Sequence, residues 1–467
     1  MNEGDFVPIQ PVGQPAATRP RQHYDAPYRL FLFTSLALAL GGGFALAVAL
    51  PLAGALEWDW GLRWPALVQA HGQLQLLGFA GLFVMGMALR LMPRFSGRDI
   101  PYPALVPVVL VSVAVAVVLR AVAQPFFAGG ARDAGVVVAA ALLLAGALAF
   151  AAIIWRSLLH PASRAEATGW FFALGAVAYV GAAALNLSIC ITMARDGEIL
   201  APHAEDEALV FLQLFGFVLL FLMGVGLRAI PALTGHQRPD AASRVIACLL
   251  AASVALYTAV ALYAAYRAPV RATGSLEDIA LIGVAMALLG TAWFCGALRP
   301  VANRVARASQ AQFRLVQAAA GWMAVAGALM LFYAISDLRD GGAIDQFEMD
   351  AVRHTVTVGV VTMMIIGMAM LVVPEFAGRR LQRPGERLLA WVLAIGLSVA
   401  TALRVWPATR GIDWLASTRF WPMAAAGIIA IIAVGAFAFV FGQSYAEQRA
   451  EGWSAAAVAA RRGEQQR

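Results

Sequence analysis

The sequence predicts an all-α membrane protein of twelve transmembrane helices. Three observations predict it. The 467 residues are 61% hydrophobic and only 13% charged, which leaves too little polar surface to wrap a soluble core of that size. The apolar residues fall into runs of about 20, the length that crosses the hydrocarbon core of a bilayer. A five-residue pattern also recurs three times, four runs apart.

In chain order the runs are 30–56, 65–92, 104–123, 135–154, 170–193, 208–230, 245–266, 279–298, 315–335, 351–373, 388–403 and 420–441. Residues 1–28 are polar and Pro-rich. They lack a short apolar region followed by a small-residue cleavage site, so a retained, disordered tail is expected rather than a signal peptide. Residues 29–443 form the membrane domain and 444–467 a C-terminal tail. Arginine gathers on the two tails and on the loops after runs 2, 4, 6, 8 and 10. Acidic stretches such as Glu205-Asp206-Glu207 and Asp337 to Asp350 fall on the opposite side. The positive-inside rule then puts both termini in the cytoplasm, with the chain in a bacterial inner membrane. All 34 basic residues are arginine, and the net charge of +7 is no nucleic-acid footprint when the chain is this apolar. The three cysteines, Cys190, Cys248 and Cys295, each lie inside an apolar run without a CxxC pair, which argues against a disulfide framework or a zinc site.

The recurring pattern is Gly78, Gly86, Leu89, Pro93, Gly97 in run 2 and Gly216, Gly224, Leu227, Pro231, Gly235 in run 6. In run 10 it is Gly359, Gly367, Met370, Pro374, Gly378. The internal spacings are identical, and the copies lie 138 and 143 residues apart. Three four-helix units are therefore expected, at about 29–157, 167–298 and 313–443, in a pseudo-threefold arrangement. Small residues let helix backbones approach closely in lipid. The proline and last glycine of each copy are expected to end its helix.

Of six histidines, only His71 and His354 lie within runs. They stand 22 and 20 residues before the proline of the first and third copies, which places both at similar depth in the outer leaflet. An ionisable side chain in a span is costly and marks function by default. Two imidazoles at matched depth could be the axial ligands of one low-spin haem. The bland alternative is two core histidines bonded to backbone carbonyls. Gln73, Gln75 and Gln213 could contact a ligand, but interhelical hydrogen bonds account for them as well. Arg90 and Arg228 are expected to snorkel to the membrane surface. The methionines Met85, Met87, Met363, Met364 and Met368 are expected to be packing residues.

The stretches His71-Gly-Gln-Leu-Gln-Leu-Leu-Gly-Phe and Arg353-His354-Thr-Val-Thr-Val-Gly, with Pro374 and Gly378 further on, resemble helices two and ten of the haem-copper oxidase catalytic subunit (subunit I). That family also has twelve spans in three repeats. The resemblance implies that His71 and His354 are the ligands of its low-spin haem b. It also implies that Arg410, Arg353 or Arg404 meets the haem propionates. Two departures stand out. Val352 occupies the place of the histidine that holds the oxidase active-site haem, and runs 6 and 7 contain none of the copper-binding histidines. The sequence more closely resembles the NnrS family, haem-containing membrane proteins of nitrosative-stress regulons. Their motif, similar to His-x-His-Glu-x-x-x-Gly-Phe, is met by His71, Gly78 and Phe79, with Gln73 and Leu74 at the second His and the Glu. The loss of that second histidine argues against copper.

The resemblance implies a haem-binding protein of the nitric oxide response (denitrification) or of membrane electron transfer, without oxygen or nitric oxide reductase activity. Its expected partners are the lipid bilayer, haem and a periplasmic electron-transfer protein, with no nucleic acid. A transporter or permease on the same scaffold, or a divergent oxidase-like reductase, is the alternative.

Overall fold

A computed structural model describes residues 27–96, 99–159, 166–267, 274–300, 310–340, 344–374, 383–409 and 418–464. Among the described residues every regular element is helical, and twelve helices are long and apolar enough to span a membrane. They are α1 (Tyr28–Ala55), α2 (Arg63–Pro93), α3 (Leu105–Phe126), α4 (Gly129–Leu158), α5 (Ala167–Asp196) and α6 (His203–Thr234). The second half adds α7 (Asp240–Tyr266), α8 (Gly274–Phe294), α9 (Gln310–Asp340), α10 (Gln346–Val372), α11 (Pro384–Ala408) and α12 (Phe420–Gln443). The chain is thus a multi-pass membrane protein, and each helix corresponds in order to one apolar run. The final helix does not stop at the membrane edge but continues to Glu464.

Nine helices close a ring in the order α1, α3, α4, α5, α7, α8, α9, α11, α12, and α12 packs back on α1. The other three, α2, α6 and α10, lie inside it. In their most apolar stretches 83%, 83% and 78% of residues are buried, against 33–50% in the ring helices. A helix that is apolar all round belongs in such an interior.

The patterned glycines explain how these three helices seat. A methyl group on Gly86 would lie 2.6 Å from Phe31 Cβ on α1. On Gly224 it would lie 2.6 Å from Phe171 Cβ on α5, and on Gly367 it would lie 2.9 Å from Leu315 Cβ on α9. The first glycine of each copy is wedged between two ring helices. Gly78 faces Leu38 and Val117, Gly216 faces Ala178 and Val254, and Gly359 faces Trp322 and Thr401. At Gly86, Gly224 and Gly367 a side chain would push the backbones apart, as expected of small-residue contacts in lipid, whereas at Gly78 the neighbours at 3.3 Å would have to give only slightly.

Each inner helix also widens into a π-helical segment around its first glycine, at Leu74–Gly81, Leu212–Val218 and Thr355–Thr362. A fourth such segment, Ala39–Gly43, lies on α1 and packs against that of α2. π-Helical turns shift backbone carbonyls out of register and collect at functional sites.

The helix ends revise one expectation. Pro93 and Pro231 lie inside helices that continue to Ser96 and Thr234, so proline does not itself end them. In the second copy Gly235 does, with φ 80° in the left-handed region. Gly97 and Gly378 lie outside the described residues, as does the predicted tail up to residue 26. Arg228 forms an ion pair with Glu166 at the mouth of α5, and the Arg90 guanidinium lies 5.3 Å from the Tyr28 ring centre. Both arginines are therefore fixed by neighbours at the membrane edge rather than simply extended into water.

Gly224→Ala should lower stability by about 1–3 kcal/mol, the usual cost of an overpacked contact. Gly321→Ala, where an added methyl would meet nothing within 4 Å, should be neutral or slightly stabilising. Thermal unfolding of both variants in detergent checks the pair, and equal losses would refute the packing role.

Candidate functional site

The residues around the two histidines are set by where α2 and α10 begin. α10 starts at a capping box: the Asp345 side chain accepts from the Phe347 N–H at 3.4 Å, and Glu348 accepts from the Asp345 N–H at 3.2 Å. Such a box fixes the first turn. It places the helix start at Gln346, earlier than the apolar run suggested. His71 and His354 consequently lie eight residues beyond the first residues of their helices, Arg63 and Gln346. That is about 12 Å along each axis at the α-helical rise. Both are thus in the third turn of their helices and equally far in.

Each imidazole is tied down at Nδ1. His71 Nδ1 donates to the Gly43 carbonyl at 2.9 Å, and His354 Nδ1 donates to the Asp350 carbonyl at 2.9 Å. A carbonyl oxygen can only accept, so the proton sits on Nδ1 and the Nε2 lone pair is left available in both rings. Neither Nε2 has a protein partner among the described residues. This is the tautomer and orientation a metal-ligating histidine takes. Gly43 is the last residue of the π-helical segment on α1. A methyl there would lie 2.8 Å from the amide end of the Gln75 side chain, which can swing aside.

Around the histidines lies a charged cluster. His354 Nδ1 is also 3.0 Å from Asp350 Oδ1, and Asp350 Oδ2 accepts from Arg404 Nη2 at 2.7 Å. Helices α10 and α11 meet at this pair. Arg353 reaches across to α6 and pairs with both carboxylate oxygens of Glu207, one contact being Nη1 to Oε1 at 2.9 Å. A bidentate Arg–carboxylate pair is both strong and directional.

Two arginine atoms in this cluster are unsatisfied. Arg353 Nε and Arg404 Nη1 are buried and have no acceptor. Buried donors usually find partners, and these two suit an anionic group bound between the helices. His71, His354, Arg353 and Arg404 are the residues here that could hold a haem and its propionates. No group of three or more His, Cys, Asp and Glu able to hold a metal ion exists among the described residues.

The remaining predicted residues sort clearly. Gln73 and Gln213 exchange amide hydrogen bonds at 3.4 Å between α2 and α6, which is the interhelical role foreseen for them. Met85, Met363 and Met364 are buried in the core, with Met87 and Met368 packed against it. Arg410 lies outside the described residues.

Asp350 and Glu207 were expected in outward-facing loops. The structure corrects this: both lie within helices, α10 and α6, and both are only partly exposed. Asp350 is one turn before His354 on the same face, the i,i+4 spacing at which helical side chains meet. That spacing was the available signal. A second buried network was also missed. Arg120 donates to Asn186 Oδ1 at 2.6 Å and to Gln124 Oε1 at 3.0 Å, and Gln124 donates to Gln69 Oε1 at 2.6 Å. It joins α2, α3 and α5.

Breaking the cross-helix pair should show it to be an energetic link between α6 and α10. Glu207→Gln leaves Arg353 with a weaker partner and should cost about 1–3 kcal/mol, the scale of a lost charged hydrogen bond. The swap Glu207→Arg with Arg353→Glu should recover part of that loss. Unfolding midpoints of the single and double variants measure the coupling, and strict additivity would contradict it.

No curated protein matches the chain. The family model described as NnrS protein matches residues 22–449, nearly the whole length, and the chain therefore belongs to the NnrS family.

Proposed function

We propose that this protein binds one haem b through His71 and His354. On this reading it serves membrane electron transfer or the nitric oxide response, and it does so without a haem-copper reaction centre. The backbone bonds at Nδ1 are also those of two core histidines; the observation that carries the proposal is that both rings, equally far into their helices, leave Nε2 without a protein partner among the described residues. A haem ligated by two imidazoles supplies one-electron transfer and offers no open coordination position. The protein's part is to hold the rings. Gly43 and Asp350 set their orientation, and the Asp350 carboxylate also lies 3.0 Å from His354 Nδ1. Arg353 and Arg404 present donors to the carboxylates of such a group, and Glu207 and Asp350 in turn fix the two guanidinium groups.

Packing supports the electron-transfer reading over ligand chemistry at a second centre. Val352 is 1% exposed and fills the core next to the site. Where α6 faces α7, Phe211 stacks on Tyr257 with ring centres 3.9 Å apart and meets Phe215 at 4.6 Å. The apolar runs of these two helices carry no histidine, whereas the resemblance to the oxidases would put copper ligands on them. We further propose that the glycine contacts and the ring order reflect three four-helix units about a pseudo-threefold axis. The termini are assigned to the cytoplasmic side of a bacterial inner membrane, on the arginine bias.

Protein purified from haem-replete cells should carry one haem b per chain by pyridine haemochrome assay, with the spectrum of a low-spin iron. His71→Ala and His354→Ala should each abolish that spectrum while the protein still elutes as a folded monodisperse species. A folded, colourless wild-type protein would refute the proposal.

A further inference from the structure

Away from the histidines, a groove of about 510 Å³ runs between α9 and α11. Its upper wall carries Arg314 and Gln317 of α9, and its length follows Trp391, Ile395 and Val399 of α11 to Ala402. Both helices start on the same side of the membrane, since they are odd-numbered spans. Arg314 is the fifth residue of α9 and Trp391 the eighth of α11, so the polar end of the groove lies near that membrane surface. From Trp391 to Ala402 it extends about 16 Å inward at the helical rise.

The groove opens sideways, toward lipid. Trp391, Ile395 and Val399 are 45%, 60% and 44% exposed, and these apolar side chains line a cleft on the outer ring of helices. Its inner side is closed where Trp322 Nε1 donates to Ser398 Oγ at 3.3 Å. The polar end is electropositive and preformed. Arg314 Nη1 donates to Gln317 Oε1 at 2.8 Å, and the Gln317 amide donates to the Ala297 carbonyl at 3.1 Å. The guanidinium carbon lies 5.4 Å from the Trp391 ring centre, a cation–π distance. Arg314 Nε is buried and has no acceptor, and no carboxylate pairs with Arg314 among the described residues. Arg387, exposed and one turn before Trp391 on the same face of α11, adds a second positive charge.

We propose that this groove binds one anionic phospholipid, with its phosphate on Arg314 and Arg387 and an acyl chain lying along Ile395, Val399 and Ala402. The donor left open on Arg314, the lack of a carboxylate partner for it among the described residues and the apolar floor all match that ligand. Basic pockets between transmembrane helices recognise anionic head groups in this way, at about fivefold in affinity for each charge. The binding is independent of the haem proposal.

Native mass spectrometry of the full chain, released from micelles doped with phosphatidylglycerol or phosphatidylcholine, tests it. One phosphatidylglycerol should be retained at least about fivefold better than phosphatidylcholine. Arg314→Gln should bring retention down to the phosphatidylcholine level, whereas Arg339→Gln, at the far end of α9, should not. Ile395→Trp changes no charge and stands at an exposed position that carries no core packing. It should reduce retention by filling the groove, and so keeps the test open if Arg314→Gln fails to fold. Equal retention of the two lipids would overturn the proposal, and so would full retention by Arg314→Gln or Ile395→Trp. Displacement of phosphatidylglycerol by millimolar inorganic phosphate would overturn it in favour of a free-anion site.

Discussion

The rest of the structure depends on the close approach of α2, α6 and α10 to their ring neighbours. Inside a bilayer there is little hydrophobic drive between helices, so contact distance and internal hydrogen bonding must hold them together. Glycines bring the backbones near enough for both. Where Gly86, Gly224 and Gly367 meet Phe31, Phe171 and Leu315, there is no room for a side chain. At Gly43 the near neighbour is only the movable amide end of Gln75, and there the α1 backbone carbonyl bonds to His71.

A local widening of the helices accompanies this approach. The π-helical segments surround the first glycine of each inner helix and end α1's segment at Gly43. Lipid offers no water to satisfy a displaced carbonyl, so a partner must come from within the protein. His71 Nδ1 is such a partner, and the cost of a polar ring inside a span is offset by the bond it makes. Asp350 acts similarly for His354 and also couples that ring to Arg404. Charges at this depth are tolerated because each has an opposite charge or a donor beside it.

Much of this was legible in the sequence, and the parts that were not share a cause. The twelve spans were readable because apolarity of the right length is a direct physical requirement. The seats of the inner helices were readable because the fit demands glycine at fixed spacing. His71 and His354 stood out because an imidazole in a span is rare. Asp350 and Glu207 were misplaced because acidic residues in the opening turns of α10 and α6 lower the apolarity of those turns, and the span boundary was drawn after them. With α10 begun too late, His354 also looked shallower than it is. The bond from His71 to Gly43 was invisible for a different reason. A backbone carbonyl carries no side-chain signature, and which residue presents it depends on a π-helical turn that composition does not encode. Arg353 and Arg404 were singled out for a bound anion, yet their pairing with Glu207 and Asp350 depends on α6, α10 and α11 coming together in space.

The arginine pairs bear on how an anionic ligand could be held without a fully buried charge imbalance. Arg353 and Arg404 each spend part of their donor set on a carboxylate and retain one buried, unsatisfied nitrogen. A guanidinium with no fixed partner would be free to turn away and would lose entropy on binding. One clamped by a carboxylate already points its remaining donor along a set direction. The clamp also keeps the site near neutrality before anything binds. On the proposed reading, Glu207 and Asp350 orient the arginines rather than meet the ligand themselves. Because Glu207 belongs to α6 while the histidines belong to α2 and α10, the site draws on all three inner helices even though the second copy of the pattern contributes no histidine.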